Sequence, residues 1–429
     1  MSKFDDALEV TERRRAPRAA AIMPLAIRVA DLDDCLHGQV VNISQSGAFV
    51  LTDDPPPVGT RLEIEVTLDS GDLVLHATAE VVRQQTRFSP FGVGLKLVEV
   101  AYESQALIDR MVADQRLFGD FRLEKLIGQG GMAEVYRARI LAGENMGKTV
   151  ALKRLHSRLS EDPMAADLFR REAELTRTLH HPNIIEVVQT GSINDRLYIA
   201  MDYIDGVNLD QLLTACRRRD IFMPIDFCCF VIHTVARALH AAHRATDGHG
   251  NLLGIVHRDV APGNVFISER GEIKLGDFGV AHVASVGSAK DLVAGRDVYI
   301  APEQLQGKGV TPASDVFALG AVFYEMLTNK IAFTTESRRA TFRRIIAGEV
   351  VPPSRLRPEI SAELANVVLT AISPRTGDES LLDKTFGSIR RFPVRFKDAN
   401  AFAEAIAPLY DPAIGTQLAI SHVVHSLFR

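Results

Sequence analysis

The chain has 429 residues, a formal net charge of −5, 46% hydrophobic and 24% charged residues. That composition excludes a disordered, collagen-like or disulfide-stapled chain, and the charge argues against a broad nucleic-acid-binding surface. At roughly 100–200 residues per domain, the length predicts two to four domains. The four cysteines, Cys35, Cys216, Cys228 and Cys229, lack C-x-x-C spacing and are expected as buried thiols in a reducing cytosol. No apolar run reaches the roughly 18–20 residues of a membrane span. Lys3 is followed by Asp5, Asp6 and Glu9, a pattern unlike a signal peptide. The expectation is therefore a cytoplasmic protein with neither membrane nor nucleic acid as partner.

Charge is unevenly placed. Residues 1–116 hold 12 Lys/Arg against 18 Asp/Glu, whereas 117–429 hold 37 against 36. Four of those 12 crowd into Arg13, Arg14, Arg15 and Arg18, which points to a local anionic partner.

Residues 19–100 read as six strands. "LAIRVA", "GQVVNI", "GAFVLT", "RLEIEVTL", "LVLHATAEVVRQ" and "FGVGLKLVEV" are short and rich in Val, Ile and Leu, with Gly-, Asp- and Pro-containing breaks such as "DDPPPVG". With no helix between them, they predict a small antiparallel barrel or sandwich. "YESQALIDRMVADQ" follows with Leu107, Ile108, Met111 and Val112 at helical spacing. A domain boundary is placed at 113–119. Residues 121–205 mix strands with one helical stretch, "AADLFRREAELTRTL", and 207–410 are mostly helical with a strand-and-loop block near 255–280. This order predicts a sheet-rich lobe followed by a larger helical one, and 411–429 is too short for another domain.

Two constellations carry chemistry. The first is the R-R-x-x-R arm of Arg14, Arg15 and Arg18 with the N-x-S-x-x-G turn of Asn42, Ser44 and Gly47. Guanidinium groups stack on bases and fork onto phosphates or the guanine O6/N7 edge. An amide and a hydroxyl beside a glycine can reach a base edge while the backbone comes close. Each half alone is common: a solvated arm, an ordinary turn. Together, within a small barrel, they resemble the PilZ domain family over about residues 9–110, including "VVRQ" and "GVGLKL". The resemblance implies cyclic di-GMP binding, with Arg14 and Arg18 clamping guanine and phosphate and Asn42, Ser44 and Gly47 contacting the other guanine. A purely structural barrel is the alternative.

The second constellation is more specific. "LIGQGGMAEVY" places Gly128, Gly130 and Gly131 in a strand–turn–strand, and "VALK" ends at Lys153. Backbone N–H groups of such a hairpin can cover phosphates, and the lysine can pair with them. Glu172 lies 19 residues after Lys153 on a predicted helix; "HRDVAPGN" supplies Asp259 and Asn264, "GDFG" supplies Asp277, Phe278 and Gly279, and "APE" ends at Glu303. Four motifs in this order resemble the bacterial Ser/Thr protein kinase family over residues 121–410. The resemblance implies ATP and Mg²⁺ as cofactors and protein hydroxyls as acceptors. Asp259 would orient the substrate hydroxyl, Asn264 and Asp277 would hold two Mg²⁺ ions, and Lys153 would anchor ATP through Glu172. Ile127, Gly128, Gly130, Gly131, Val135, Ala151, Met201, Asp202 and Ile204 would surround the nucleotide, Met201 as the gate behind the hinge. His257 and Phe278 read as packing residues, and Glu303 is expected to pair with Arg395.

The chain also departs from that family. Ala133 stands where a third glycine is usual; the expectation is a tolerated small residue. Ala261 stands two residues after Asp259, where Ser/Thr kinases carry a lysine that meets the transferring phosphate. Losing one such contact could cost roughly 10²–10³ in rate, by analogy with single oxyanion-hole donors. Gly295–Arg296 replaces the family's "GT", so the expectation is that Arg296 supplies the lost charge in catalysis; an arginine facing solvent in an inactive module is the alternative. The segment Asp277–Glu303 has Ser285 and Ser288 as its only Ser/Thr hydroxyls, with Arg258 as the family's docking charge for a phosphorylated residue. An insertion at 374–392 reads as a surface loop.

The fold expected is α+β: a PilZ-like barrel (9–112), a bilobal kinase fold (119–410) and a tail (411–429). The function expected is a cyclic di-GMP-responsive Ser/Thr kinase with an internal input, and the rival is a pseudokinase that acts as a cyclic di-GMP effector. A third reading keeps an active kinase whose barrel only docks partners.

Overall fold

The computed structural model describes residues 19–29, 35–44, 46–52, 55–67, 74–85, 92–102, 104–105, 108, 117–193, 195–278, 297–376 and 393–428. Two units divide the chain, 1–128 with 136–149 and 129–135 with 150–429; each is taken by itself.

In the first unit six strands form a closed antiparallel barrel, β1 (Ala19–Val29), β2 (Cys35–Ser44), β3 (Gly47–Leu51), β4 (Arg61–Thr67), β5 (Val74–Gln85) and β6 (Gly92–Val100), in the order β1-β2-β3-β6-β5-β4. Closure removes the open edges that a six-stranded sheet would expose. The alternation of β4 does the sorting: Leu62 and Ile64 are buried while Arg61 and Glu63 are exposed, as a period of two requires. They meet Ala79 and Ala77 of β5 in register, and Ala48, Val50, Val81, Val93 and Leu95 are buried with them. Two register shifts in the β5–β6 ladder, at Thr78/Ala79 and Val81/Arg83, let the barrel curve. Residues 102, 104, 105 and 108 are helical. Ser104 accepts a hydrogen bond from the His76 amide at 2.8 Å, and Ile108 is fully buried. Beyond them, β7 (Leu117–Phe118) pairs with β8 (Phe121–Gln129) through Phe118 and Phe121, both buried. Glu124 bridges Arg137 and Arg139 of β9 (Ala133–Ile140) at 3.3 and 3.2 Å.

In the second unit β12 (Arg196–Asp202) lies antiparallel between β10 (Thr149–Leu155) and β11 (Val187–Ile193). Helix α1 (Pro163–Arg177) starts at Asp162, whose carboxylate accepts from the Met164 amide, and Pro163 takes the position where its missing N–H costs nothing. Its buried face, Ala165, Ala166, Phe169, Glu172 and Ala173, is apolar except for one carboxylate. A small sheet, β13 (Gly206–Asn208), β14 (Val265–Ser268) and β15 (Ile273–Leu275), opens the helical part. The helices are α2 (Leu209–Arg219), α3 (Ile225–His243), α4 (Pro302–Leu305), α5 (Pro312–Thr328), α6 (Arg338–Ala347), α7 (Pro353–Leu356), α8 (Ala362–Ala371), α9 (Ala399–Ile406) and α10 (Gln417–Phe428). α5 is buried along its whole length, which makes it the axis of the lobe.

Helix α3 is long and apolar enough, by length and composition, to cross a membrane. Instead Phe227, Val231, Val235, Leu239 and Ala242 pack into the core that α5 shares. Asp226, Arg237 and His240 interrupt the run as written, so the helix is apolar only when residues are averaged over its turns. Cys216, Cys228 and Cys229 are buried free thiols, and burial raises the pKa of each, pushing Cys229 up to about 12.

Candidate active site

The site is assembled from four short pieces of the second unit. Lys153 sits in β10 opposite Ile199, and Ala151, two residues earlier on the same face, lies opposite Met201. Glu172 is the one acidic residue on the buried face of α1. Asp277 follows β15 directly. Lys153 Nζ donates to the Glu172 carboxylate and to Asp277 Oδ1, the latter at 3.2 Å. Burial pushes the lysine pKa down, but Asp277 and Glu172 together outweigh it and hold it well above its ordinary value. The lysine therefore stays charged across any working pH. Burial is the largest influence on the Glu172 carboxyl and leaves it above its ordinary value, although the Lys153 charge opposes the shift.

The catalytic loop is pinned from behind by a residue that motif reading did not single out. Asp315, 1% exposed in α5, accepts from the amides of His257 and Arg258, both at 2.8 Å, and from His243 Nε2 at 2.7 Å. Two amides and an imidazole converging on one buried carboxylate satisfy its lone pairs without solvent. They also hold Arg258 at φ +67, a conformation that costs a non-glycine residue free energy. His257 is fully buried. Its Nδ1 accepts from the Asp259 amide at 3.3 Å, so Nε2 carries the proton and donates to the Gly276 carbonyl at 3.0 Å. Its ring lies 4.5 Å from that of Phe278, in keeping with the packing role expected of both.

Asn264 closes the loop. Its amide nitrogen donates to the backbone oxygen of Asp259 at 2.7 Å and to Oδ2 at 3.0 Å. Both partners are acceptors, so the nitrogen faces Asp259 and the amide oxygen points elsewhere. The Gly276 amide donates to the Asn264 carbonyl at 2.9 Å, which holds the Asn264 and Asp277 ends of the β14–β15 hairpin together. Asp277 takes φ +55, a second strained residue at the same spot. An amide oxygen and a carboxylate are hard donors of the kind Mg²⁺ takes when substrate phosphates complete its shell. Among the described residues no group of three or more His, Cys, Asp and Glu is placed to hold a metal ion.

Beside the Glu172 and Asp277 carboxylates a small cavity is lined by these two residues with Thr176, Ile185, Met201 and Phe278. Asp202 donates its amide to the Glu186 carbonyl at 2.9 Å, and Ile204 follows β12. In the glycine-rich hairpin, Gly130 donates to the Ala133 carbonyl at 2.9 Å and accepts from the His156 ring at 2.8 Å. Ala133 is buried with Leu155, Phe169, Ala173 and Ile199, so its methyl joins the core. Val135 lies in the same unit; Ile127 and Gly128 belong to the other. Ala261 is 3% exposed and also part of the lobe's core. Arg296, Gly279, Ser285, Ser288 and Gly295 lie outside the described residues, as does most of the insertion.

Past the site, Glu303 and Arg395 meet as expected, in a bidentate pair at 2.8 and 3.0 Å. Arg395 also donates to the carbonyls of Ser373 and Ala313 and covers the Phe317 ring. Tyr299 donates to Glu325, which also accepts from Arg217 at 2.7 Å.

In the barrel, Asn42 pairs with Ala20 and Phe49, and Ser44 with Gly47. Gly47 has a packing reason to be glycine: a Cβ there would lie 2.3 Å from the Leu95 carbonyl oxygen. Arg14, Arg15 and Arg18 lie outside the described residues.

The family model of the protein kinase domain matches residues 121–375, and that of the PilZ domain matches residues 12–114. The chain belongs to the protein kinase family and carries a PilZ domain ahead of the kinase domain. It is 33% identical over 291 residues to the tyrosine-protein kinase MasK of Myxococcus xanthus, covering 67% of this chain and 43% of that protein. It is 36% identical over 275 residues to the serine/threonine-protein kinase PknB of Mycolicibacterium smegmatis, covering 61% and 41%. The chain thus spans less than half the length of these curated relatives. Among solved structures, the Mycobacterium tuberculosis PknI kinase domain aligns with a TM-score of 0.49 at 26% identity, over 68% of this chain and 96% of that one.

Proposed function

We propose that the chain is a serine/threonine protein kinase that transfers the γ-phosphate of Mg·ATP to protein hydroxyls and answers to cyclic di-GMP. The observation that carries the reading is Lys153 bonded to both Glu172 and Asp277, beside Asn264 bonded to Asp259. A charged lysine poised between two carboxylates is a ready partner for the α/β-phosphates, and Asn264 and Asp277 offer oxygen to the Mg²⁺ ions that neutralise the transferring group. Asp259 orients the attacking hydroxyl. Bound Mg·ATP supplies the phosphoryl group; the chain supplies position and field. The Arg14/Arg15/Arg18 arm with Asn42, Ser44 and Gly47 supports the nucleotide-responsive part, as does the PilZ match.

A second reading, a pseudokinase effector, draws on Ala261. Its methyl is buried in the core, so this position offers no charge to a transferring phosphate. The kinase reading assigns that charge to Arg296. Transfer of labelled γ-phosphate from Mg·ATP to a generic acceptor decides between the two. The kinase reading expects transfer that Asp277→Ala abolishes and that Arg296→Ala lowers at unchanged ATP affinity. Absence of transfer with ATP still bound favours the pseudokinase.

A further inference from the structure

The β14–β15 hairpin holds one proposed Mg²⁺ ligand at each end, Asn264 just before β14 and Asp277 just after Gly276. Its strands have four and three residues, and so short a hairpin is marginal without outside support. β13 supports β14 through Val207–Ile267 and its neighbours, and Asn183–Ile185 supports β15 through hydrogen bonds to Leu275 and Ile273. The tip, Ser268–Glu272, is closed by its own turn bonds and by the Glu269 amide donating to the Asp205 carbonyl at 2.8 Å, and it is gripped further by a segment outside the kinase-family match, which ends at residue 375. Ser421 Oγ of α10 donates to the Glu269 carbonyl at 2.6 Å. Gly271 sits at φ +84 with Gln417 so close that a Cβ would lie 2.0 Å from its carbonyl oxygen.

The gripping segment is itself fastened to the lobe. Ile420, Val424 and Leu427 are buried, and Arg219 at the end of α2 donates to the carbonyls of Leu427 and Phe428 at 3.1 and 2.9 Å. Gly415 lies against the Phe230 ring, and Tyr410 is hydrogen-bonded to His233 at 2.8 Å. The expected tail is thus a packed helix whose polar contact falls on the far end of the hairpin that carries both metal ligands.

We infer that α10 is a latch that positions Asn264 and Asp277 for Mg²⁺ by holding the hairpin tip, with Ser421 as its positioning residue. The inference rests on the reading of those two residues as Mg²⁺ ligands. Loss of the Ser421 contact gives the tip more freedom to shift, and the separation of Asn264 and Asp277 sets how well those two residues would hold Mg²⁺. Nucleotide contacts that involve no metal are then untouched.

The test uses the full chain with Ser421→Ala, Ser421→Thr and Asp277→Ala. Binding of a non-hydrolysable ATP analogue is titrated against Mg²⁺, and hydrogen exchange is followed at the amides of 265–275. Ser421→Ala is expected to speed exchange in the hairpin. It is also expected to raise the Mg²⁺ concentration for half-maximal binding by about two- to tenfold, the range that one hydrogen bond carries. Mg²⁺-free binding stays unchanged, and Ser421→Thr, which keeps the hydroxyl, restores both. Unaltered exchange in Ser421→Ala overturns the latch. Faster exchange with unaltered Mg²⁺ dependence reduces α10 to packing and overturns the positioning role. Wild-type Mg²⁺ dependence in Asp277→Ala shows instead that the ligand reading has failed, and the positioning role falls with it whatever the exchange does.

Discussion

Asp315 shows how much one buried side chain can organise. Its carboxylate holds two successive amides of the catalytic loop and the His243 ring, and it compensates for the strained φ of Arg258. Asp315→Ala leaves two buried N–H groups unpaired, each costing about 1–3 kcal/mol. The expected result is a lower melting temperature and loss of phosphoryl transfer while Lys153 and Glu172 remain in place; transfer at the wild-type rate would contradict it. The Glu303–Arg395 pair is another such point. Removing one partner of a buried pair costs about 3–5 kcal/mol, so Arg395→Ala should destabilise the chain far more than loss of an exposed arginine. Burial raises the Glu303 carboxyl pKa, but the hydrogen bonds and charge of Arg395 prevail and leave it below the ordinary value. The pair's contribution is therefore complete above that ordinary value and lost as pH falls through the depressed one. Acid unfolding followed by circular dichroism should show Glu303→Gln losing part of this acid dependence. Ala261 yields the opposite kind of prediction. Placing an ammonium at a 3% exposed core position costs more than it returns, so Ala261→Lys should lower the melting temperature and leave transfer no faster.

At the scale of elements, what was legible in the sequence was local. Alternation in "RLEIEVTL" fixed the inward face of β4, and the "HRD", "DFG" and "APE" spacings located loops whose chemistry depends on neighbours a few residues away. What was hidden depends on distance along the chain. Nothing near "SDVFALG" says that Asp315 will accept amides from 257 and 258, because that bond exists only after α5 threads the lobe. The role of 417–428 was invisible for the same reason, since its partners are Glu269 and Arg219. Gly47 carries a related lesson. As a ligand residue it would be a natural substitution target, yet its Cβ would collide with the β6 backbone. Gly47→Ala should therefore lower barrel stability with no nucleotide present, which thermal unfolding of the ligand-free chain would reveal. Ser44→Ala is the cleaner probe of binding.

For the whole molecule, the proposed nucleotide-binding barrel and the proposed phosphoryl-transfer site make a signalling device only if the two sites share a coupling free energy. That requires the effector to bind one kinase state better than another. The family match gives the order of domains, and in the proposed site the contacts of Lys153 with Glu172 and Asp277 are already formed. The measurement that bears most directly on the account is γ-phosphate transfer from Mg·ATP by the full chain, with and without cyclic di-GMP, beside Asp277→Ala and the double variant Arg14→Ala/Arg18→Ala. The account predicts transfer that Asp277→Ala lacks, a rate that cyclic di-GMP changes, and loss of that change in the double arginine variant. Transfer indifferent to cyclic di-GMP in the wild-type chain, or no transfer under either condition, would contradict it.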